Sequence, residues 1–188
     1  TTAEFYLDIT FSCQKQDRTI RAPILISSVP LPFKVEEDLI LTNTGTERYI
    51  PFLIAEAKRL EKAGADFLVM PCNSVHVFIE EVRAAVSIPV LSIIEATVQF
   101  LKKQQFHRVG IISTSATIQN KLYETAFEKN QIEYVTPDAF QQAKLGKLIH
   151  HLILGQQNNR DREELIDIVH GMDGKNLDCV ILACTDLQ

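Results

Sequence analysis

The chain has 188 residues, 46% of them hydrophobic, which suffices for one compact domain or for two small lobes that share an interface. Its net charge of −5, without any run of Lys or Arg, argues against nucleic acid and anionic membrane surfaces as partners. No apolar stretch approaches the roughly 20 residues of a membrane span, and the N-terminus lacks a signal segment. We therefore expect a cytoplasmic protein that binds small molecules or other proteins.

Apolar periodicity predicts helices that alternate with strands along the chain. The predicted helices cover residues 2–16, 50–60, 75–86, 94–101, 117–129, 145–152 and 165–172. The predicted strands cover residues 23–29, 66–70, 89–93, 108–112, 132–135 and 178–182. Because these strands are almost continuously apolar, we expect an α/β architecture whose parallel sheet is covered by helices on both faces. Residues 31–47 show no settled period and are typical of a binding loop or lid.

An apolar strand followed by a cysteine occurs twice in the sequence. One such run starts at Asp66 and leads to Cys72, and the other starts at Asp178 and leads to Cys184. The offset is constant, since 178 − 66 and 184 − 72 both equal 112, and it predicts two related halves. Subtracting it from the strand at 108–112 places an equivalent strand just before residue 1, so we expect the first half to lack its opening strand.

The two repeated cysteines are the first candidates for chemistry. Parallel sheets present ligand sites at the carboxyl ends of their strands, where helix N-termini collect, and Cys72 and Cys184 occupy two such ends. We expect the helix N-termini to pull these thiols from a free pKa of about 8.5 toward thiolate. If a pseudo-twofold relates the halves, the thiols face each other across one cleft. That arrangement suits the removal of a proton from one side of a carbon and its return on the other.

The other two cysteines, Cys13 and Cys179, receive a structural interpretation, because cysteine is among the most often buried residues. No Cys-x-x-Cys spacing occurs, which argues against a structural zinc site. His76 follows Cys72 by four residues and is a candidate to orient or tune its thiol. A metal bound by this Cys-x-x-x-His pair lacks a second pair of ligands in the sequence.

Polar side chains follow both cysteines and the strand at 108–112. Their amides and hydroxyls are suited to hold a carboxylate and to stabilise developing charge, and ordinary helix capping is the alternative interpretation. The candidates are Asn73, Ser74, Thr114, Thr117 and Thr185.

The cysteine motifs resemble those of the aspartate/glutamate racemase superfamily, and within it the aspartate racemase branch. The resemblance extends over essentially the whole chain and is most specific in Met70-Pro71-Cys72-Asn73-Ser74-Val75-His76 and Ala183-Cys184-Thr185-Asp186. The family usually has Thr in place of Ser74 and Glu in place of Asp186. Glutamate racemases tend to carry His at that last position, so Asp186 points away from them.

The resemblance implies a cofactor-independent amino-acid racemase, commonly a homodimer, in which two similar α/β lobes are related by a pseudo-twofold and enclose the active site. The lobes correspond to residues 1–95, without a first strand, and 96–188, without a C-terminal helix. Cys72 and Cys184 become the acid–base pair that interconverts the L and D forms. The substrate α-carboxylate and amine are contacted by Asn73, Ser74, Thr114 and Thr185.

Substrate choice is less sharply specified by the resemblance. Aspartate-specific relatives hold the side-chain carboxylate with two basic residues; Lys34 matches the first, whereas the second falls at or near the apolar Leu154. Broader amino-acid specificity is therefore an alternative to aspartate. Two further alternatives are an isomerase or decarboxylase that uses one cysteine, against which the second cysteine argues, and a non-catalytic protein that binds a small ligand.

Overall fold

The computed structural model describes residues 2–38, 44–172 and 176–187. The helices within those ranges are α1 (Thr2–Gln16), α2 (Phe33–Glu37), α3 (Ile50–Lys62), α4 (Ile79–Ala85), α5 (Ile93–Gln104), α6 (Ser115–Gln119), α7 (Leu122–Lys129), α8 (Ala139–Ile153) and α9 (Asn159–His170). The strands are β1 (Leu68–Val69), β2 (Val90–Leu91), β3 (Arg108–Ser113), β4 (Glu133–Val135) and β5 (Cys179–Ala183). Short 3-10 helices occupy Thr46–Tyr49, Ser74–Phe78 and Thr185–Leu187.

The strands form two parallel sheets. In the first sheet β1 pairs with β2 over two residues, with Leu68 opposite Val90 and Val69 opposite Leu91. In the second sheet the order is β4-β3-β5, and β3 is parallel to both of its neighbours. The predicted α/β class, with parallel sheets flanked by helices, is therefore confirmed.

The second sheet is covered on both faces, as expected. Val109 and Ile111 of β3 pack into a cluster with residues of α5 and α7. Ile112 points to the opposite face and packs with residues of α8 and α9. Because successive side chains of a strand alternate in direction, β3, which is buried from Val109 to Ser113, joins two hydrophobic layers.

The first sheet is covered closely on one face only. Leu68 and Val90 are buried in a cluster with residues of α3 and α4. Val69 and Leu91 point the other way and remain exposed. On that side, a cavity of about 380 Å³ lies between the sheet and Phe5 of α1. The expectation that both faces of every sheet are covered is therefore wrong for β1 and β2.

Three predicted elements differ in the structure. Residues 23–29 form no strand, because an apolar run becomes a strand only where a neighbour pairs with it, and no described strand lies beside it. The predicted helix 117–129 is divided into α6 and α7 at Lys121, whose φ of 50° lies in the left-handed region. The predicted helix 75–86 starts as a 3-10 helix before it continues as α4.

The loop predicted at 31–47 contains α2 and one 3-10 helix, and its residues 39–43 lie outside the described residues. Across residues 2–38, 44–172 and 176–187, no helix combines the length and the apolarity needed to cross a bilayer.

Candidate active site

The two repeated cysteines lie at the carboxyl ends of strands from different sheets. Cys72 follows β1 by three residues, and Cys184 follows β5 directly. Their thiols are close enough for the charge of Cys72 to contribute to the pKa of Cys184. The segments that carry them are also joined by a hydrogen bond of 3.4 Å that the Thr185 hydroxyl donates to the carbonyl oxygen of Pro71. The structure therefore brings the two predicted catalytic residues to one place.

Cys184 is held as a neutral thiol. It is only 6% exposed, and burial raises its pKa to about 12. The backbone N–H of Asp186 donates to the sulfur and lowers the pKa, whereas the negative charges of Asp186 and Cys72 raise it further. The expectation that a helix N-terminus pulls this thiol toward thiolate is wrong, because desolvation by burial is the largest influence on its pKa and raises it.

Ser74, Thr114 and Thr117 form a cluster of buried hydroxyl groups across the two sheets. The Ser74 oxygen lies 2.9 Å from that of Thr114 and 3.4 Å from that of Thr117, and the two threonine oxygens are 3.0 Å apart. Thr114 also caps α6 by accepting a hydrogen bond from the Thr117 N–H. Ser74 is the first residue of its 3-10 helix and does not occupy the N-cap position, so the capping interpretation holds for Thr114 and is wrong for Ser74.

Asn73 does not cap a helix either. Its backbone is helical, and no hydrogen bond from its side chain caps the following 3-10 helix. The Oδ1 atom instead accepts a hydrogen bond of 2.6 Å from the phenol of Tyr123, on α7. Tyr123 was not predicted as a site residue, because nothing in local spacing connects two side chains that are 50 residues apart.

His76 contacts the backbone of Cys72, not its thiol. The Nδ1 atom lies 2.8 Å from the Cys72 carbonyl oxygen, and Nε2 accepts a hydrogen bond of 3.1 Å from the N–H of Ile93 at the start of α5. An accepting Nε2 leaves the proton on Nδ1, which donates to the carbonyl. Burial lowers the pKa of His76, in keeping with this neutral form. The ring therefore connects the turn that holds Cys72 to the first residue of α5, the helix that follows β2.

A cavity of about 380 Å³ opens beside Cys72 and Ser74. Its far wall carries Glu56, a buried carboxylate that sequence reasoning missed, because it lies among the apolar residues of α3. Glu56 accepts a hydrogen bond from Ser27 and pairs with Arg59 at 3.3 Å. Among the described residues that line this cavity, Glu56 is the one charged side chain, and Arg59 is its counterion.

Lys34 lies apart from the other predicted site residues. Its side chain on α2 is 71% exposed, and its Nζ atom is 2.9 Å from Asp38. It is not among the residues that line the cavity beside Cys72. Leu154 follows the last residue of α8 and is partly exposed. Both assignments to a substrate side chain stay predictions.

Cys13 and Cys179, which received a structural interpretation, are partly buried and carry free thiols. Within the three described ranges, His, Cys, Asp and Glu side chains form no group of three or more that is placed to hold a metal ion.

Comparison with known proteins identifies the family. The pattern of the Asp/Glu/hydantoin racemase family matches residues 1–188. The chain is 29% identical to the broad specificity amino-acid racemase RacX of Bacillus subtilis, an alignment that covers 100% of this chain and 81% of that protein. It is 32% identical over 148 residues to a glutamate racemase of Persephonella marina, with 76% of this chain and 54% of that protein covered.

A solved structure shares the fold. The aspartate racemase of Picrophilus torridus superposes with a TM-score of 0.79 at 24% sequence identity, and the match covers 99% of this chain and 76% of that one. At this identity the likeness concerns the fold alone. Together with the match of the family pattern over residues 1–188, it leads to one conclusion: this chain is a member of the Asp/Glu/hydantoin racemase family.

Proposed function

We propose that the protein is a cofactor-independent amino-acid racemase that uses Cys72 and Cys184 as its two proton-transfer groups. The observation that carries the proposal is the placement of these cysteines at the ends of strands from two sheets, on segments that the Thr185–Pro71 hydrogen bond joins. A racemase must deprotonate Cα on one side and protonate it on the other, so two opposed acid–base groups meet its minimum requirement. The chain supplies both groups itself.

The proton transfers are divided between the thiols by their surroundings. In the free protein Cys184 is protonated, because burial raises its pKa to about 12. One direction of the reaction then uses the Cys72 thiolate to remove the Cα proton and the Cys184 thiol to return a proton to the opposite face. In the reverse direction the two groups exchange roles.

The carbanion that forms between these steps needs stabilisation. Hydrogen-bond donors around the substrate carboxylate supply it, since they delocalise the negative charge away from Cα. We assign this role to Asn73, Ser74, Thr114 and Thr185, with the substrate amine also contacted by this group. Support comes from their placement, because each makes a hydrogen bond between the segment after β1 and the second half of the chain.

Aspartate is the first substrate to test, with Lys34 as the residue that contacts its side-chain carboxylate. Broad amino-acid specificity is the alternative. Lys34 is highly exposed. The second basic residue of aspartate-specific relatives falls at or near Leu154, which carries no charge to pair with a side-chain carboxylate. The relative from Bacillus subtilis carries the name of a broad specificity racemase, which favours testing neutral amino acids as well. The homodimer, the cytoplasmic location and the lobes at 1–95 and 96–188 stay predictions.

The proposed function is tested by proton exchange. The full-length protein is incubated in deuterated water with each enantiomer of aspartate, glutamate and several neutral amino acids, and deuterium at Cα is followed by NMR. We expect incorporation together with loss of optical activity for at least one amino acid. Cys72→Ala and Cys184→Ala should each reduce the rate by a factor of 10³ or more, on the order of 4 kcal/mol in activation free energy.

Cys13→Ala serves as the matched control, because Cys13 lies on α1 and belongs to no proposed site, and it should retain the wild-type rate. An absence of deuterium at Cα for every amino acid tested would exclude the racemase. Release of carbon dioxide, with deuterium delivered to the carbon that loses it, that survives Cys72→Ala but is lost in Cys184→Ala would instead favour a one-cysteine decarboxylase in which the Cys184 thiol is the acid.

A further inference from the structure

Tyr123 and Asn73 form a buried pair that joins the second sheet to the segment after Cys72. Tyr123 is 1% exposed and Asn73 is 3% exposed. The phenol donates to Asn73 Oδ1 over 2.6 Å, within the ordinary range of O–H···O hydrogen bonds. The pairing therefore fixes the side chain of the residue that directly follows one of the two cysteines.

This hydrogen bond decides which end of the asparagine amide is left available. With Oδ1 held by the phenol, the amide presents the Nδ2 end to other partners. Among the described residues Nδ2 has no hydrogen-bond acceptor, and it is not one of the fully buried side-chain atoms that lack a partner, which are Glu124 Oε2 and Gln142 Oε1, so it keeps some contact with solvent. A donor with access to solvent, on the residue that directly follows Cys72, is also open to a ligand acceptor.

The phenol is held in the donor role by its own surroundings. Tyr123 packs against Phe127, with ring centroids 5.6 Å apart, in the cluster between α5, α7 and β3. Burial in this apolar cluster raises the pKa of Tyr123, so the hydroxyl keeps its proton. A phenylalanine would fill the same space but could not donate. Filling the core therefore does not require the hydroxyl, whereas orienting Asn73 does.

We propose that Tyr123 is a positioning residue, which holds Asn73 Oδ1 so that Nδ2 is presented to a carboxylate oxygen of the substrate. The inference rests on the proposed function in one respect: it takes the ligand to be an amino acid or a related carboxylate. It adds to that function a residue that makes no contact with the reacting atoms.

The test replaces only the hydroxyl. In the full-length protein, Tyr123→Phe should weaken the binding of malonate or aspartate at least tenfold by titration calorimetry. In turnover it should raise KM by a similar factor and change kcat less, because the donor serves binding in both ground and transition states. In an Asn73→Ala background, Tyr123→Phe should have no further effect on affinity, since the group that it positions is gone.

Tyr134→Phe is the matched control. Tyr134 also lies beside Phe127, with ring centroids 6.3 Å apart, but its hydroxyl donates to Glu128 at the surface. This variant should bind the same ligands within twofold of the wild type. An affinity for Tyr123→Phe that is equally unchanged, or a wild type that binds neither carboxylate, would overturn the inference. Ligand binding that depends on Tyr123 without any racemisation would overturn the proposed function and leave the inference standing.

Discussion

At the scale of single residues, the environment of His76 defines its protonation state. The ring is 2% exposed and is bonded on both nitrogens, to the Cys72 carbonyl and to the Ile93 N–H. A second proton on Nε2 would face an N–H donor and would break that bond. The nearby charges are those of Arg83, which lowers the pKa, and Glu95, which raises it, and burial outweighs both.

This geometry predicts an acid-sensitive stability. Below about pH 6.5 the unfolded chain protonates His76 while the folded protein does not, so the free energy of unfolding falls as the pH falls. Above that pH both states are neutral and the contribution is constant. Urea titrations between pH 7.5 and 5.5 should show a smaller loss of stability for His76→Gln than for the wild type.

The exposed His170, at the end of α9, offers the matched control. His170→Gln should lose stability on acidification as steeply as the wild type does. If His76→Gln is equally steep, the buried imidazole is not the group responsible.

The residues of the candidate site could be predicted to different extents. Cys72 and Cys184 were found because a repeat is visible in the sequence and needs no coordinates. Asn73 was named as a site residue, but its bond to Tyr123 was not predicted, because helix-capping preference describes a residue's neighbours in sequence, whereas these two side chains meet through tertiary packing. The pKa of Cys184 was predicted in the wrong direction, since burial depends on the finished fold.

At the scale of elements, the end of α5 shows how one residue closes a helix. Gln105 adopts φ 59° and ψ 33°, a left-handed conformation. Its N–H donates to the Lys102 carbonyl, and the Phe106 N–H donates to the Leu101 carbonyl over 3.0 Å. These are the two bonds of a Schellman motif, whose left-handed position is normally glycine.

A glycine at this position should therefore stabilise the protein. Gln105→Gly removes the Cβ strain of the left-handed conformation, and we expect a gain of about 0.5–1 kcal/mol in the free energy of unfolding. Gln99→Gly, at an exposed position in the middle of the same helix, should instead cost about 1 kcal/mol. Chemical denaturation measures both variants, and equal signs for the two would contradict the interpretation.

Elements with a clear period were predicted well, and those that depend on a distant neighbour were not. α1, α3, α5 and α9 follow from their apolar stripes, whose spacing is a local property. The run at 23–29 is apolar enough for a strand, but whether it forms one depends on a pairing partner. The break at Lys121 was missed for a related reason, because no Gly or Pro marks it.

At the scale of the whole molecule, polar contacts join the two sheets beside the cysteines. The Ser74–Thr114–Thr117 cluster, the Asn73–Tyr123 bond and the Thr185–Pro71 bond all link the segment after β1 to the second half of the chain. Ala116 of α6 adds an apolar contact by packing into the core of the first half. Because these contacts are mainly hydrogen bonds, which depend on geometry, the residues on the two sides should be energetically coupled.

The coupling is measurable with a double-mutant cycle on Ser74→Ala and Thr114→Val. We expect an interaction term of about 1 kcal/mol in the free energy of unfolding, since each single variant leaves its partner's hydroxyl with one bond fewer. The control cycle pairs Ser74→Ala with Ser87→Ala, whose hydroxyl contacts Glu61 elsewhere on the surface. That pair should be additive within about 0.5 kcal/mol. Additivity in both cycles would show that the hydroxyl cluster does not couple the halves.

The bonds that join the two sheets also have a consequence for the order of folding. Ser74 and Thr114 are separated by 40 residues, Asn73 and Tyr123 by 50, and Pro71 and Thr185 by 114. Closing a longer loop costs more chain entropy before the contact that it forms contributes any stabilisation. Hydrogen bonds between residues this far apart in sequence therefore form late. The strand before Cys72 pairs with β2 over a separation of 22 residues (90 − 68), whereas the strand before Cys184 pairs with β3 over 70 (179 − 109), so Cys72 acquires its strand first. The two cysteines are brought together only when the loop between Pro71 and Thr185 closes. A partly folded chain therefore lacks the pair of proton-transfer groups that the proposed reaction requires.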